Sequence, residues 1–305
     1  MKPVDPELKK IITNFLSEEQ TDVRRIFHGR GQRYPGLEHV CVDWFSPSVL
    51  ITLFNDYDQL EELASHINAV DIHQQVGSIV VQKRFEKGVP AIALKGAISE
   101  ELIVSEGALR FEVHFGKHQN IGLFLDMRLL RDWLQKHSKD KNVLNLFAYT
   151  CSLSVAALAG GASSVTNVDM SKPSILWGEK NHRLNNQESD RVKSIPHNIY
   201  KSWGRTHQFG RYDLVIIDPP TRQKGSFDVT KNYPSVIKRM SKLCNPGAEI
   251  IATVNSPFLD ENFLLDLFAK HLPQSQFVST MEVAPEFEDA FPERGLKIYR
   301  FSYMA

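Results

Sequence analysis

From Asp126 onward, short apolar runs alternate with helical segments at an interval that few folds accommodate. VLNLF (143–147), SVTNVD (164–169), RVKSIPH (191–197), YDLVIID (212–218) and residues 248–254 read as strands. Helical patterns over 126–137, 153–159, 172–184 and 229–243 separate most of them. Strands that alternate with helices in this way must pair parallel, because each crossover returns the chain to the same end of the sheet. The expectation is an α/β domain around a mostly parallel sheet covered by helices on both faces.

The first third has another rhythm. Residues 6–19 carry Leu8, Ile11, Ile12, Phe15 and Leu16 at helical spacing. A stretch rich in glycine and arginine follows, from His28 to Gly36. VCVDWF (40–45) and VLITLF (49–54) flank Ser46-Pro47-Ser48 and predict a β-hairpin. A helix is expected from Asp58 to Val70, with Asp58 as its N-cap, and further strands at 78–84, 89–95, 101–105 and 109–115. This piece reads as α+β with antiparallel strands. Two domains are therefore expected, residues 1–115 for substrate recognition and residues 116–305 for the α/β fold.

Composition narrows the function classes. Lys plus Arg equals Asp plus Glu at 36 each, which speaks against a large duplex footprint, since phosphate neutralisation supplies most non-specific affinity for nucleic acid. A local basic patch remains compatible with that balance. No apolar run is long enough for a membrane span, and the N-terminal residues lack the apolar core of a secretory signal. Cys41, Cys151 and Cys244 are far apart in the chain, which fits neither a zinc pair nor a disulfide framework and suits a reducing cytoplasm. The eleven histidines show no ligand spacing, so no metal is expected. A homodimer is left open.

The chemistry should lie where three consecutive parallel strands end, at 147–152, 169–171 and 218–222, because open α/β sheets bind ligands beyond their strand C-termini. Asp169 stands about twenty residues past the first turn, the offset at which an acidic side chain accepts hydrogen bonds from ribose hydroxyls. A helix N-cap is its alternative role. The first turn, Phe147-Ala148-Tyr149-Thr150-Cys151-Ser152, contains no glycine, whereas a pyrophosphate needs a glycine-rich turn. S-adenosylmethionine, with an amino-acid tail in place of a pyrophosphate, suits it better than a nicotinamide dinucleotide. Asp218-Pro219-Pro220-Thr221 forms a second motif, in which two prolines stiffen the turn after a buried strand. A plain strand-terminating loop is the bland reading of it.

Taken together, NLFAYTCSLS, VDMS and IIDPPT resemble the motifs of Rossmann-like S-adenosylmethionine-dependent methyltransferases with a mostly parallel seven-stranded sheet. The resemblance extends to the bacterial large-subunit ribosomal RNA methyltransferases that include guanine-N7 and cytosine-C5 enzymes, and Asp218-Pro219-Pro220-Thr221 with Phe227-Asp228-Val229 nine residues on is nearer the guanine-N7 branch. It covers roughly residues 110–260, with HQNIGLFLDMR (118–128) similar to the segment before the cofactor domain. It implies that Phe147, Ala148, Tyr149, Thr150 and Ser152 line the methionine part of S-adenosylmethionine. Asp169 would hold the ribose, Met170 pack on the adenine, and Asn198 meet the adenine amino group. The family usually has aspartate at the position of Asn198 and often glycine at that of Ser152. Gln119, Asp126 and Arg128 would close over the amino-acid end; a salt-bridged helix start is the alternative.

Methyl transfer is an in-line displacement, for which positioning supplies much of the acceleration. Asp218, with Pro219 and Pro220, is the candidate to position the acceptor or to take its proton. Thr221, Arg222, Gln223 and Lys224 are candidates for phosphate or base-edge contacts, against a solvated loop. Tyr233 is a candidate to stack on a base, against a core tyrosine. The arginines of the His28–Gly36 stretch suit phosphate, against an exposed glycine-rich hairpin. Cytosine-C5 chemistry needs a cysteine to add to the ring, and all three cysteines read as buried hydrophobes. The leading expectation is methylation of a base in ribosomal RNA. A small-molecule or protein methyltransferase, a non-catalytic cofactor- and RNA-binding module, and a nicotinamide oxidoreductase are its rivals.

Overall fold

The structure, a computed structural model, describes residues 3–116, 118–223 and 226–305. It divides into two compact units. One holds the residues up to Leu125 together with Ala284–Ala290, and the other Asp126–Val283 together with Phe291–Ala305.

The first unit opens with α1 (Pro6–Leu16). Asp5 caps it by accepting from the N–H groups of Glu7 and Leu8, and Pro6 starts the helix where no donor is needed. Leu8, Ile12 and Leu16 form its buried stripe. Strands β1 (Arg24–His28), β2 (Val40–Phe45), β3 (Ser48–Leu53), β4 (Ser78–Lys83) and β5 (Ala91–Lys95) make a five-stranded sheet in sequential order, with α2 (Leu60–Val70) between β3 and β4. Two expectations are corrected here. The β3–β4 pair is parallel, because α2 carries the chain back across the sheet. Asp58 does not cap α2, which starts at Leu60 after Gln59 with no side-chain cap; Glu61 and Glu62 in the first turn serve its dipole instead. Strands β6 (Leu102–Glu106) and β7 (Leu109–Val113) form a separate hairpin.

The second unit runs α3 (Arg128–His137), β8 (Asn142–Leu146), α4 (Ser152–Ala159), β9 (Ser164–Asp169), α5 (Lys172–Leu184), β10 (Val192–Pro196), α6 (Trp203–Gln208) and β11 (Tyr212–Ile217). After the two-residue strands β12 (Arg222–Gln223) and β13 (Phe227–Asp228) come α7 (Val229–Leu243), β14 (Cys244–Asn255), α8 (Asn262–His271), β15 (Ser275–Met281) and β16 (Leu296–Tyr303). Its seven-stranded sheet has the order β10-β9-β8-β11-β14-β16-β15. All neighbours from β10 to β14 are parallel, while β16 runs antiparallel to both β14 and β15. The expected mostly parallel α/β sheet is thus present. The order reverses at β8, where β9 and β11 lie on opposite sides of the first strand, and a crevice opens at such a point. Val143, Leu144, Leu146, Leu214, Val215, Ile216 and Ile217 are all fully buried, which explains why β8 and β11 read as continuous apolar runs rather than alternating ones.

Candidate active site

The strand registers bring the motifs together. Leu146 pairs with Val168 on one side and with Ile217 on the other, and Ile217 pairs with Ala252. The next residues, Phe147, Asp169, Asp218 and Thr253, therefore stand at one level across the sheet.

The first turn adopts backbone conformations usually reserved for glycine. Phe147, Tyr149 and Cys151 have φ of 61°, 47° and 63°, each disfavoured for a residue with a Cβ. Strain of this kind persists only where surrounding contacts over-determine it, and it concentrates at functional sites. Those contacts are identifiable. The Tyr149 N–H donates to Asp169 Oδ2 at 2.9 Å, and the Ala148 N–H to the Val168 carbonyl at 3.1 Å. Buried Asn181 on α5 donates to the Thr150 carbonyl at 2.9 Å. The Phe147 ring packs edge-on against Phe227 with centroids 4.9 Å apart. Gly178 on α5 allows the close approach, for a Cβ there would sit 2.3 Å from Cys151 Sγ. The left-handed residue before α4 is Cys151, and Ser152 is the first residue of that helix. The glycine-like position of the turn is thus Cys151 rather than Ser152. Among the described residues no side chain caps α4, and the first N–H groups of a helix have no partner within it.

Asp169 ends β9 with each carboxylate oxygen accepting one main-chain N–H, from Tyr149 and from Ser171 at 2.8 Å. Burial raises its pKa and those two hydrogen bonds oppose the rise. Ser171, rather than Asp169, is the N-cap of α5. Met170 beside it is exposed. Asn198, beyond β10, caps a short turn by accepting from the Tyr200 N–H at 2.9 Å.

Asp218 is held differently. Its Oδ1 accepts the Thr253 hydroxyl. Desolvation pushes its pKa up to about 6, against the Thr253 hydrogen bond, with the charge of Asp126 adding to the rise. Pro219 is buried and Pro220 exposed. The Thr221 hydroxyl donates to the Asn255 carbonyl, joining the turn after β11 to the end of β14. Arg222 is exposed on β12, opposite Asp228 in the register of that short ribbon. Lys224 lies outside the described residues.

Tyr233 is the core alternative. It is fully buried, and its hydroxyl donates to the Ile217 and Thr253 carbonyls at 3.1 and 2.9 Å, tying β11 to β14 beneath the site. A ring held there has no face free for a base. Arg128, at the start of α3, forms a loose ion pair with Asp132 at 3.8 Å, and Gln119 is exposed in the first unit. In that unit Glu101, Glu112 and His114 also gather their ligand-type atoms within 4.8 Å, with His114 Nε2 at 2.7 Å from Glu112 Oε1. Sequence reasoning passed over Thr253, Asn181 and Gly178. A glycine inside the helical run 172–184 was the available signal, since it weakens a helix unless a close approach requires it.

Residues 24–302 match the family model of the S-adenosylmethionine-dependent methyltransferases. The chain belongs to this family. Its methyl donor is accordingly S-adenosylmethionine. Among curated relatives, this methyltransferase is 33% identical over 260 residues to the ribosomal RNA large subunit methyltransferase K/L of Shewanella pealeana, a match covering 81% of the chain and 36% of the relative. It is 29% identical over 297 residues to the protein of that name from Pseudoalteromonas translucida, covering 92% of the chain and 41% of the relative. The chain thus spans well under half the length of these relatives. SMU.776, described as a methyltransferase complexed with SAH, superposes with a TM-score of 0.83 at 23% identity, over 99% of this chain and 83% of its own, which shows a shared fold. No helix among the described residues is long and apolar enough to cross a membrane.

Proposed function

We propose that this methyltransferase methylates a base in ribosomal RNA, at a guanine-N7-like acceptor rather than at cytosine C5. The observation that carries the choice of acceptor is the chemistry at the end of β11. A carboxyl group, Asp218, stands there, while all three thiols are buried and burial raises the pKa of each. Addition to a cytosine ring requires an accessible thiolate. A ring nitrogen carries its own lone pair and needs neither a nucleophile nor a base. The names of the relatives support the RNA class, and such a substrate belongs in the cytoplasm.

The residues fit the cofactor. Asp169 spends only one acceptor site of each oxygen on the protein's own N–H groups, and a carboxylate has capacity to take two ribose hydroxyls as well. The start of α4, which has no side-chain cap among the described residues, and the Ser152 hydroxyl offer donors to the amino-acid tail, with Phe147, Ala148, Tyr149 and Thr150 lining it. Met170 presents an exposed thioether for the adenine, and the Asn198 amide oxygen, which accepts the Tyr200 N–H, keeps a second lone pair for the adenine amino group. When bound, S-adenosylmethionine supplies an electrophilic methyl group on a sulfonium. Asp218, ionised at neutral pH, accepts N–H hydrogen bonds from the acceptor base and so fixes its ring nitrogen in line, and Pro219 and Pro220 hold that carboxylate in place. Thr221 and Arg222 border the acceptor side.

Incubation with methyl-labelled S-adenosylmethionine and ribosomal RNA from a strain lacking the gene tests this. Label mapped to a single guanine is the expected result. Label on cytosine C5, or transfer to small molecules or proteins but not to RNA, refutes it.

A further inference from the structure

In the first unit, the arginines divide by whether they have a carboxylate. Arg25 makes a forked contact with Asp43, its Nε and Nη2 at 2.5 and 3.2 Å from the two oxygens, and Arg33 pairs with Glu288. Of the arginines with no ion-pair partner among the described residues, Arg24 donates to the Val23 carbonyl at 3.2 Å, which leaves Arg30 and Arg84. Both instead lie against one ring, with guanidinium carbons 4.2 and 5.3 Å from the centroid of Phe54. Two cations on one aromatic repel each other. Burial and the neighbouring Arg30 both lower the pKa of Arg84.

The chain holds them there on purpose-built backbone. Gly29-Arg30-Gly31 is a tight 3₁₀ turn whose two glycines are buried. A Cβ on Gly29 would stand 1.9 Å from the Leu37 carbonyl, and one on Gly31 2.3 Å from that of Glu288. The stretch that reads as a loose glycine-rich hairpin is thus clamped on both sides, with Arg30 projecting between the clamps and exposed. On the other flank, the Arg84 N–H donates to the Leu53 carbonyl at 2.8 Å, fixing Arg84 beside Phe54. Phe85, next to it, exposes 40% of its surface.

Guanidinium groups without a carboxylate call for an anion, and guanidinium planes beside an aromatic ring suit a planar partner. Nucleotides of unpaired RNA supply both, through phosphates for the arginines and bases that stack on aromatic or guanidinium planes. We propose that Arg30, Phe54 and Arg84 form a binding site for single-stranded RNA in the first unit; this rests on the reading of the chain as an RNA methyltransferase. A chain of zero net charge then carries its RNA affinity in a local site rather than in a global field.

The test is fluorescence polarisation of the full chain with a labelled single-stranded oligouridine and with a duplex of equal length, over a range of salt. The wild type should prefer the single strand. The Arg30→Gln/Arg84→Gln variant should bind it about tenfold or more weakly, and the log–log salt slope should fall by about 1.4, at about 0.7 per lost phosphate contact. Phe54→Leu should weaken binding while leaving the slope unchanged. Affinity for S-adenosylhomocysteine should match wild type in every variant, which verifies folding. Equal oligouridine affinity and slope in wild type and the double arginine variant overturns the site, as does equal competition by an acidic peptide. The methyl-transfer assay fails or succeeds separately. Label on ribosomal RNA with unchanged oligouridine binding in the variant sinks this site alone, whereas a wild type that binds oligouridine but labels no RNA sinks the proposed reaction.

Discussion

Replacing Asp218 by asparagine should stabilise the protein while sharply lowering its activity. The carboxyl group has its pKa pushed from 3.8 to about 6, chiefly by desolvation. At about 1.4 kcal/mol per pH unit, that gap corresponds to about 3 kcal/mol of unfavourable free energy for the ionised group in the folded chain. Residual solvent contact at Asp218 screens part of this, leaving about 2 kcal/mol. The sign follows from linkage. A carboxyl group with a raised native pKa favours folding most when protonated, so its penalty is absent below the unfolded pKa near 3.8. The penalty grows between that pH and about 6, and is complete above it. Asparagine keeps an oxygen for the Thr253 hydroxyl and carries no charge at any pH. Thermal unfolding of Asp218→Asn and wild type should therefore coincide near pH 4 and diverge with rising pH. By pH 8 the variant should melt about 4–8 °C higher, at roughly 2–4 °C per kcal/mol for a unit of this size. Methyl transfer to RNA should fall by two orders of magnitude or so, in line with the loss of a positioned catalytic group. A variant that melts at or below wild type at pH 8, or whose advantage does not change with pH, refutes this account of a desolvated carboxylate.

Other predictions bear on the same edge of the sheet. Thr253→Val removes the donor that opposes the desolvation of Asp218, so the acid limb of the rate profile should move to higher pH, which initial rates from pH 5 to 8 would show. Gly178→Ala drives a methyl group against Cys151 Sγ and should destabilise by about 1–3 kcal/mol as an overpacked contact does; calorimetric titration should also find S-adenosylhomocysteine bound at least tenfold more weakly. Asp169→Ala should lose affinity for S-adenosylhomocysteine by about tenfold or more, each factor of ten being about 1.4 kcal/mol, while Asp218→Asn retains it. Cys244→Ala should leave methyl transfer within about twofold of wild type, as expected of a buried thiol with no covalent role.

The parallel sheet, the three strand ends and the absence of a pyrophosphate turn were legible in the residues alone, because they depend on local runs and on which side chains sit after them. VLNLF, SVTNVD and YDLVIID can bury both faces only inside an α/β sheet, and that architecture makes residues 147–152, 169 and 218 converge. Register was not legible. That Phe147, Asp169, Asp218 and Thr253 stand at one level depends on hydrogen bonds between strands far apart in sequence. The conformation of the turn was equally hidden. Phe147, Tyr149 and Cys151 are poor residues for positive φ, and contacts from Asp169, Asn181 and the gap at Gly178 hold them there. The same holds in the first unit, where the balance of 36 cations against 36 anions concealed two arginines that meet a ring and no carboxylate among the described residues. Charge is a property of composition, but pairing is a property of distance. Only folding decided that Arg25 and Arg33 meet carboxylates while Arg30 and Arg84 meet Phe54.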